Sequence, residues 1–151
     1  MPKDIMSSKS VTLIIDSRLE STGLVGTAIR GICGLTRLDQ REIGRMELCT
    51  VEAVTNSIKH AYGLNAGSPV RVEVTLAKER LDIRVCDQGN PMPAGALRSG
   101  TDEFDPNPDD PSTFLTGGMG LPLILDCMDI VTYRSESGWN CLTMTKNYDL
   151  R

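Results

Sequence analysis

Glu52-Ala53-Val54-Thr55-Asn56-Ser57-Ile58-Lys59-His60-Ala61-Tyr62 is the stretch on which the reading of this chain turns. Apolar residues recur at helical spacing, and at about 100° per residue Val51, Val54, Ile58 and Ala61 share one side. Glu52, Asn56 and His60, each four residues from the next, fall roughly opposite and are surface neighbours. Acid, amide and the chain's single imidazole in a row are poor choices for a plain solvated face. They suit a site that holds a cation and moves a proton. Taken alone, the same row also fits a polar helix face with Glu52 paired to Lys59 or an arginine.

The helix begins upstream. Asp39 is a suitable N-cap and Glu42, three residues on, completes the pattern of a capping box. Gly63 can end the helix after Tyr62. Before it, Ser10–Asp16 (SVTLIID) is a β-branched strand, and Arg18–Leu35 has helical apolar spacing weakened by Gly23, Gly26 and Gly31. Small residues there can also let another backbone approach closely. After it, Val70–Leu76 and Leu81–Val85 alternate apolar and polar with period two, an antiparallel hairpin with one buried face that delivers Cys86-Asp87 at its end. Residues 90–116 have no periodicity, five prolines and a run of acids, the composition of a lid. Gly120–Met128 reads as a helix entered through glycines. A last hairpin joins Ile130–Arg134 to Asn140–Thr145 through Glu136-Ser137-Gly138. The sum is an α+β fold, a two-layer α/β sandwich with a mixed, mainly antiparallel sheet and helices on one face.

Composition bounds the function. At 151 residues the expectation is a flexible stretch 1–9 and one domain over 10–151, with the lid at about 94–116. Aromatics make up only 4%, so Leu, Ile, Val and Met must fill the core. A net charge of −4 argues against direct nucleic-acid binding, which needs a basic surface. No apolar run approaches the roughly 20 residues of a membrane span, and Met1–Ser10 has no signal core, so a cytoplasmic location is expected. The cysteines at 33, 49, 86, 127 and 141 are odd in number and scattered, and are expected to be reduced, buried, small apolar residues.

Three further features carry chemistry. Asn56 offers an amide oxygen, a hard ligand for Mg²⁺, and Glu52 one turn away can take a proton from a hydroxyl. Asp87-Gln88-Gly89 at a strand end can accept a hydrogen bond from an exocyclic amine, while the glycine lets a flat ring approach; a simple turn has the same composition. Thr116-Gly117-Gly118-Met119-Gly120-Leu121-Pro122 opens a helix whose free N–H groups attract phosphate, although no Gly-Lys-Ser/Thr follows as in a Walker loop. In that order, the three segments form one coherent nucleotide pocket.

At this point the chain resembles a known family. Glu52 to Tyr62 is similar to the N-box of the GHKL, or Bergerat-fold, ATPases, in the form found in anti-sigma factor serine-protein kinases of the RsbW/SpoIIAB type. Asp87-Gln88-Gly89 resembles their first glycine box, and Gly117 to Asp129 their second; the likeness runs from about Ser10 to Lys146. It implies ATP and Mg²⁺ as cofactors, Glu52 as general base toward a serine hydroxyl and Asn56 as metal ligand. Asp87 and Gly89 would meet adenine, and Gly118 and Gly120 the phosphates. The implied nucleotide-binding set is Asn56, His60, Asp87, Gly89, Thr116, Gly117, Gly118, Met119, Gly120 and Leu121. It further implies a homodimer that sequesters a sigma factor and phosphorylates a STAS-domain antagonist, a partner switch. Two departures stand out: Pro91 replaces the second glycine of the first box, and no basic residue lies between Arg98 and Arg134. The charge needed for phosphoryl transfer then falls to Mg²⁺, Arg98 or a partner. An ATP-responsive binding module without transfer, a histidine-kinase-like domain acting in trans, and a fold that binds no nucleotide stay open as alternatives.

Overall fold

A computed structural model describes residues 8–93, 95–99 and 120–148. Its elements, in chain order, are β1 (Lys9–Asp16), a 3₁₀ turn (Leu19–Ser21), α1 (Thr22–Cys33), α2 (Gln40–Asn56), β2 (Pro69–Leu76) and β3 (Arg80–Asp87). There follow a short α3 (Ala96–Ser99), α4 (Gly120–Cys127), β4 (Ile130–Glu136) and β5 (Trp139–Asn147). The first strand begins at Lys9, inside the stretch expected to be flexible. Of the expected lid only 95–99, with α3, is described; the rest lies outside the described residues.

The strands form one five-stranded sheet in the order β1-β2-β3-β5-β4. Every neighbouring pair is antiparallel, where a mixed, mainly antiparallel sheet was expected. The reason is topological: the chain leaves β3, passes through α4, enters at the outer edge as β4 and returns inward as β5. Two strands that could have paired in parallel are therefore never neighbours. The β4–β5 turn places Ser137 and Gly138 at φ 56° and 82°, the positive-φ pair that a two-residue hairpin needs.

The period-two pattern decides which sheet face is buried. Val70, Val72 and Val74 of β2, Leu81, Ile83 and Val85 of β3, and Leu142 and Met144 of β5 point into the core. Above them lie the helices, with Val25, Ile29 and Cys33 of α1 and Ile43, Met46, Cys49, Ala53 and Val54 of α2 buried at i, i+3, i+4 spacing. Burying such aliphatic side chains contributes about 1.5–3 kcal/mol each before entropy is counted. Asp39 caps α2 by accepting the Glu42 N–H at 2.8 Å, as its spacing predicts. Gly26 allows the close approach of α1 to α2: a Cβ there would stand 3.1 Å from a Val51 methyl. Gly23 and Gly31 have nothing within 4 Å of that position and serve no such purpose.

Two features depart from the expected pattern. After Asn56 the helix widens into a π-turn over Ser57–Ala61, with Tyr62 N–H bonding to Ser57 O at 3.0 Å, before Gly63 at φ 61° ends it. The cysteines are not all reduced: Cys86 and Cys141 face each other across β3 and β5, with Cα atoms 4.1 Å apart, and form a disulfide. Their separation of 55 residues hides a pairing that only the sheet register creates. Cys33, Cys49 and Cys127 are free and buried. Burial pushes the Cys33 thiol up to about 11 and raises that of Cys49 as well, with Cys127 beside it adding to the shift, so these groups stay protonated and inert. Among the described residues, no helix is long and apolar enough to cross a membrane.

Candidate functional site

A cavity of about 530 Å³ opens between the second half of α2, the end of β3 and the start of α4. Its wall is mostly apolar, including Val85, Met92, Leu121 and Leu142, with Asn56, His60 and Asp87 as polar points. An apolar slot with a few convergent polar groups is the usual build of a small-molecule site.

From α2 come Glu52 and Asn56, both half-buried. They look onto the N-terminal end of α4, where Gly120 is packed so closely that a Cβ would come 2.8 Å from Glu52 Oε2 and 3.6 Å from Asn56 Nδ2. The missing side chain lets the start of α4 sit directly on the acid–amide pair. Asn56 Oδ1 is buried and, among the described residues, has no hydrogen-bond partner. A buried, unsatisfied carbonyl oxygen is costly, and a ligand or metal could complete the arrangement at this point. The donor chemistry fits Mg²⁺, which takes few protein oxygens and shares phosphate oxygens for the rest.

His60 lines the same cavity from the π-turn and is exposed at its rim. Partial desolvation against the wall, then the Lys59 charge, lower its pKa from the ordinary value, so it is neutral at pH 7. Ala53, Ser57 and Ala61, each four residues from the next, line the cavity wall along the same side.

From β3 comes Asp87, buried at 6% exposure. Its Oδ1 accepts from Gly89 N–H at 3.1 Å and from Asn140 Nδ2 at 2.9 Å. Asn140 also donates to the Gly89 carbonyl at 2.8 Å, while Ser135 Oγ donates to Asn140 Oδ1 at 2.6 Å. Gly89 lies against the π-turn, its absent Cβ falling 2.3 Å from Ala61 O, and the next residue's N–H bonds to that same oxygen at 2.9 Å. The glycine is therefore required first by Ala61.

The structure thus brings together Glu52, Asn56, His60, Asp87, Gly89, Gly120 and Leu121 around one cavity or its immediate wall. Thr116, Gly117, Gly118 and Met119 lie outside the described residues. Three contributors escaped the reading of the sequence. Asn140 is one, and its signal was available: it occupies the buried phase of β5 with Leu142 and Met144, where a polar residue needs a reason. Tyr62 is another, its hydroxyl donating to Pro69 O at 2.6 Å and accepting Gln88 N–H at 2.7 Å. Tyr133 accepts the Met92 N–H at 2.9 Å and so ties the segment after β3 to β4. Burial raises the pKa of both phenols, keeping them as neutral hydroxyls. Tyr62→Phe removes one donor and one acceptor; denaturant unfolding should show a loss of about 1–2 kcal/mol, and unchanged stability would mean water replaces the hydroxyl.

Comparison with known proteins follows this geometry. Residues 15–146 match the histidine kinase-like ATPase domain. The chain is 27% identical over 136 residues to the serine-protein kinase RsbW of Listeria monocytogenes, covering 90% of this chain and 85% of that one. It is 30% identical over 139 residues to RsbW of Halalkalibacterium halodurans, covering 91% and 83%. Among solved structures, the RsbU and RsbW domains of a Mycobacterium tuberculosis protein superpose with a TM-score of 0.62 at 14% identity, covering 95% of this chain and 34% of that longer one. That last likeness concerns the fold.

Proposed function

The chain belongs to the histidine kinase-like ATPase family, in its RsbW branch, and we propose that it is an ATP-dependent serine-protein kinase that also acts as an anti-sigma factor. The observation that carries this reading is the buried Asn56 Oδ1, without a hydrogen-bond partner among the described residues, beside Glu52, both packed against the start of α4 with Asp87 across the same cavity. Asp87 accepts the adenine amine, and the apolar wall takes the ring. Asn56 would hold Mg²⁺, which supplies charge neutralisation at the phosphates when bound. Glu52, on the turn before Asn56, takes the proton of the incoming serine hydroxyl. Gly120 keeps the N-terminal N–H groups of α4 within reach of anionic oxygens. His60, neutral at the rim, adds a hydrogen-bonding group without adding charge.

In this reading residues 10–151 act as one kinase domain: a homodimer holds a sigma factor, and phosphorylation of a STAS-domain antagonist releases that antagonist. The test is transfer of the terminal phosphate from labelled MgATP to a STAS-domain protein encoded beside this gene. Acid-stable label on serine supports the kinase. Acid-labile label on histidine would favour a histidine kinase acting in trans instead. A second reading, a nucleotide-responsive binding module without transfer, is favoured by one observation: the sequence has no Lys or Arg between Arg98 and Arg134. Bound MgATP with no transfer would select it.

A further inference from the structure

We propose that Asn140 is a positioning residue that makes Asp87 a one-oxygen acceptor, and that the site thereby takes adenine and rejects guanine. The proposal rests on the nucleotide-binding reading of the cavity. It begins with the hydrogen bonds at a single atom. Asp87 Oδ1 receives Asn140 Nδ2 at 2.9 Å and Gly89 N–H at 3.1 Å. Two donors occupy the two lone pairs of that oxygen. Among the described residues, none donates to Oδ2, and Asp87 lines the cavity. One oxygen is consumed by the protein and the other is left for a ligand.

Asn140 cannot turn away from this task. Its second amide hydrogen goes to the Gly89 carbonyl at 2.8 Å, and its own oxygen accepts from Ser135 Oγ at 2.6 Å. Flipping the amide would set its oxygen against a carboxylate and a carbonyl, acceptor against acceptors. Cross-strand register supplies the placement, because Asn140 pairs directly with Asp87.

The two purines differ at the edge that would meet this carboxylate. Adenine carries one exocyclic amine, and a single free oxygen satisfies it. Guanine presents two parallel donors, N1–H and the 2-amino group, which a carboxylate meets with both oxygens, as it meets an arginine fork. With Oδ1 already filled, one guanine donor would be buried without a partner. A lost hydrogen bond to a charged group corresponds to about tenfold or more in affinity.

The experiment is titration of the full chain with MgATP and with MgGTP, for wild type, Asn140→Ala and Ser135→Ala. Wild type should prefer ATP by about tenfold or more. Asn140→Ala should narrow that preference by about tenfold, since GTP gains an oxygen while ATP loses only a fixed rotamer. Ser135→Ala, at an exposed position, should narrow it less and keep the wild-type melting temperature; it carries the test alone if Asn140→Ala does not fold. A merely structural Asn140 would weaken both nucleotides together, and an unchanged ATP:GTP ratio in the folded variants overturns the proposal. So does a wild type that binds the two nucleotides equally. A wild type that binds neither overturns the nucleotide reading itself.

Discussion

Glu52→Gln should lower phosphoryl transfer to the STAS-domain protein by about 10²–10⁴-fold, the usual contribution of a positioned general base, with MgATP affinity within about threefold of wild type. The substitution keeps the size of the side chain and removes its ability to take a proton. Glu52 does not need its charge for the fold: among the described residues it forms no ion pair, and its neighbours are Gly120 and Asn56. Single-turnover transfer together with equilibrium nucleotide binding separates the possibilities. A transfer rate equal to wild type would remove Glu52 from the chemistry. Loss of nucleotide binding along with transfer would make Glu52 a ligand-holding residue.

The second large effect is steric. Gly89→Ala should lower stability by about 3 kcal/mol, the upper range for overpacking, or about 6–12 °C in a chain of this size, and weaken nucleotide binding by tenfold or more. The new Cβ would lie 2.3 Å from Ala61 O, 2.5 Å from its carbonyl carbon and 2.9 Å from its Cβ. None of these is the end of a flexible side chain that could swing away. Either the π-turn or the segment after β3 must move, and the Asn90 N–H to Ala61 O bond of 2.9 Å and the Asn140 bond to Gly89 O of 2.8 Å go with it. Gly31→Ala is the matched control: nothing lies within 4 Å of its Cβ position in α1, and it should raise stability by up to about 1 kcal/mol through helix propensity. Thermal melts of the pair, with and without MgATP, decide the matter. A Gly89→Ala protein that melts with wild type and still binds ATP would show that the cavity wall is far more yielding than this packing implies.

Much of the fold is legible in the sequence because local rules dictate it. Asp39 and Glu42 start α2 by capping chemistry that needs nothing outside four residues. The alternation of Val70–Leu76 and Leu81–Val85 selects both strand and buried face, and Gly138 allows the last hairpin to close. The row of Glu52, Asn56 and His60 is equally local, being a consequence of helical period. The site was less legible at Gly89. Its glycine is explained by proximity to a ligand when read in one dimension, and by the carbonyl of Ala61 when read in three.

Legible in the sequence are every strand and, the short α3 excepted, every helix of the described residues to within a few positions, the α+β class and most of the residues with chemistry to offer. Periodicity, caps and turn residues act over a few neighbours, and those neighbours are written side by side. Tertiary packing alone set the wholly antiparallel order, the π-turn whose Ala61 lies against Gly89, the Cys86–Cys141 bond and the hold of Asn140 on Asp87. Each of these joins groups distant along the chain or bends a helix to meet one, and the energy that sets them comes from packing the helices onto one face of the sheet.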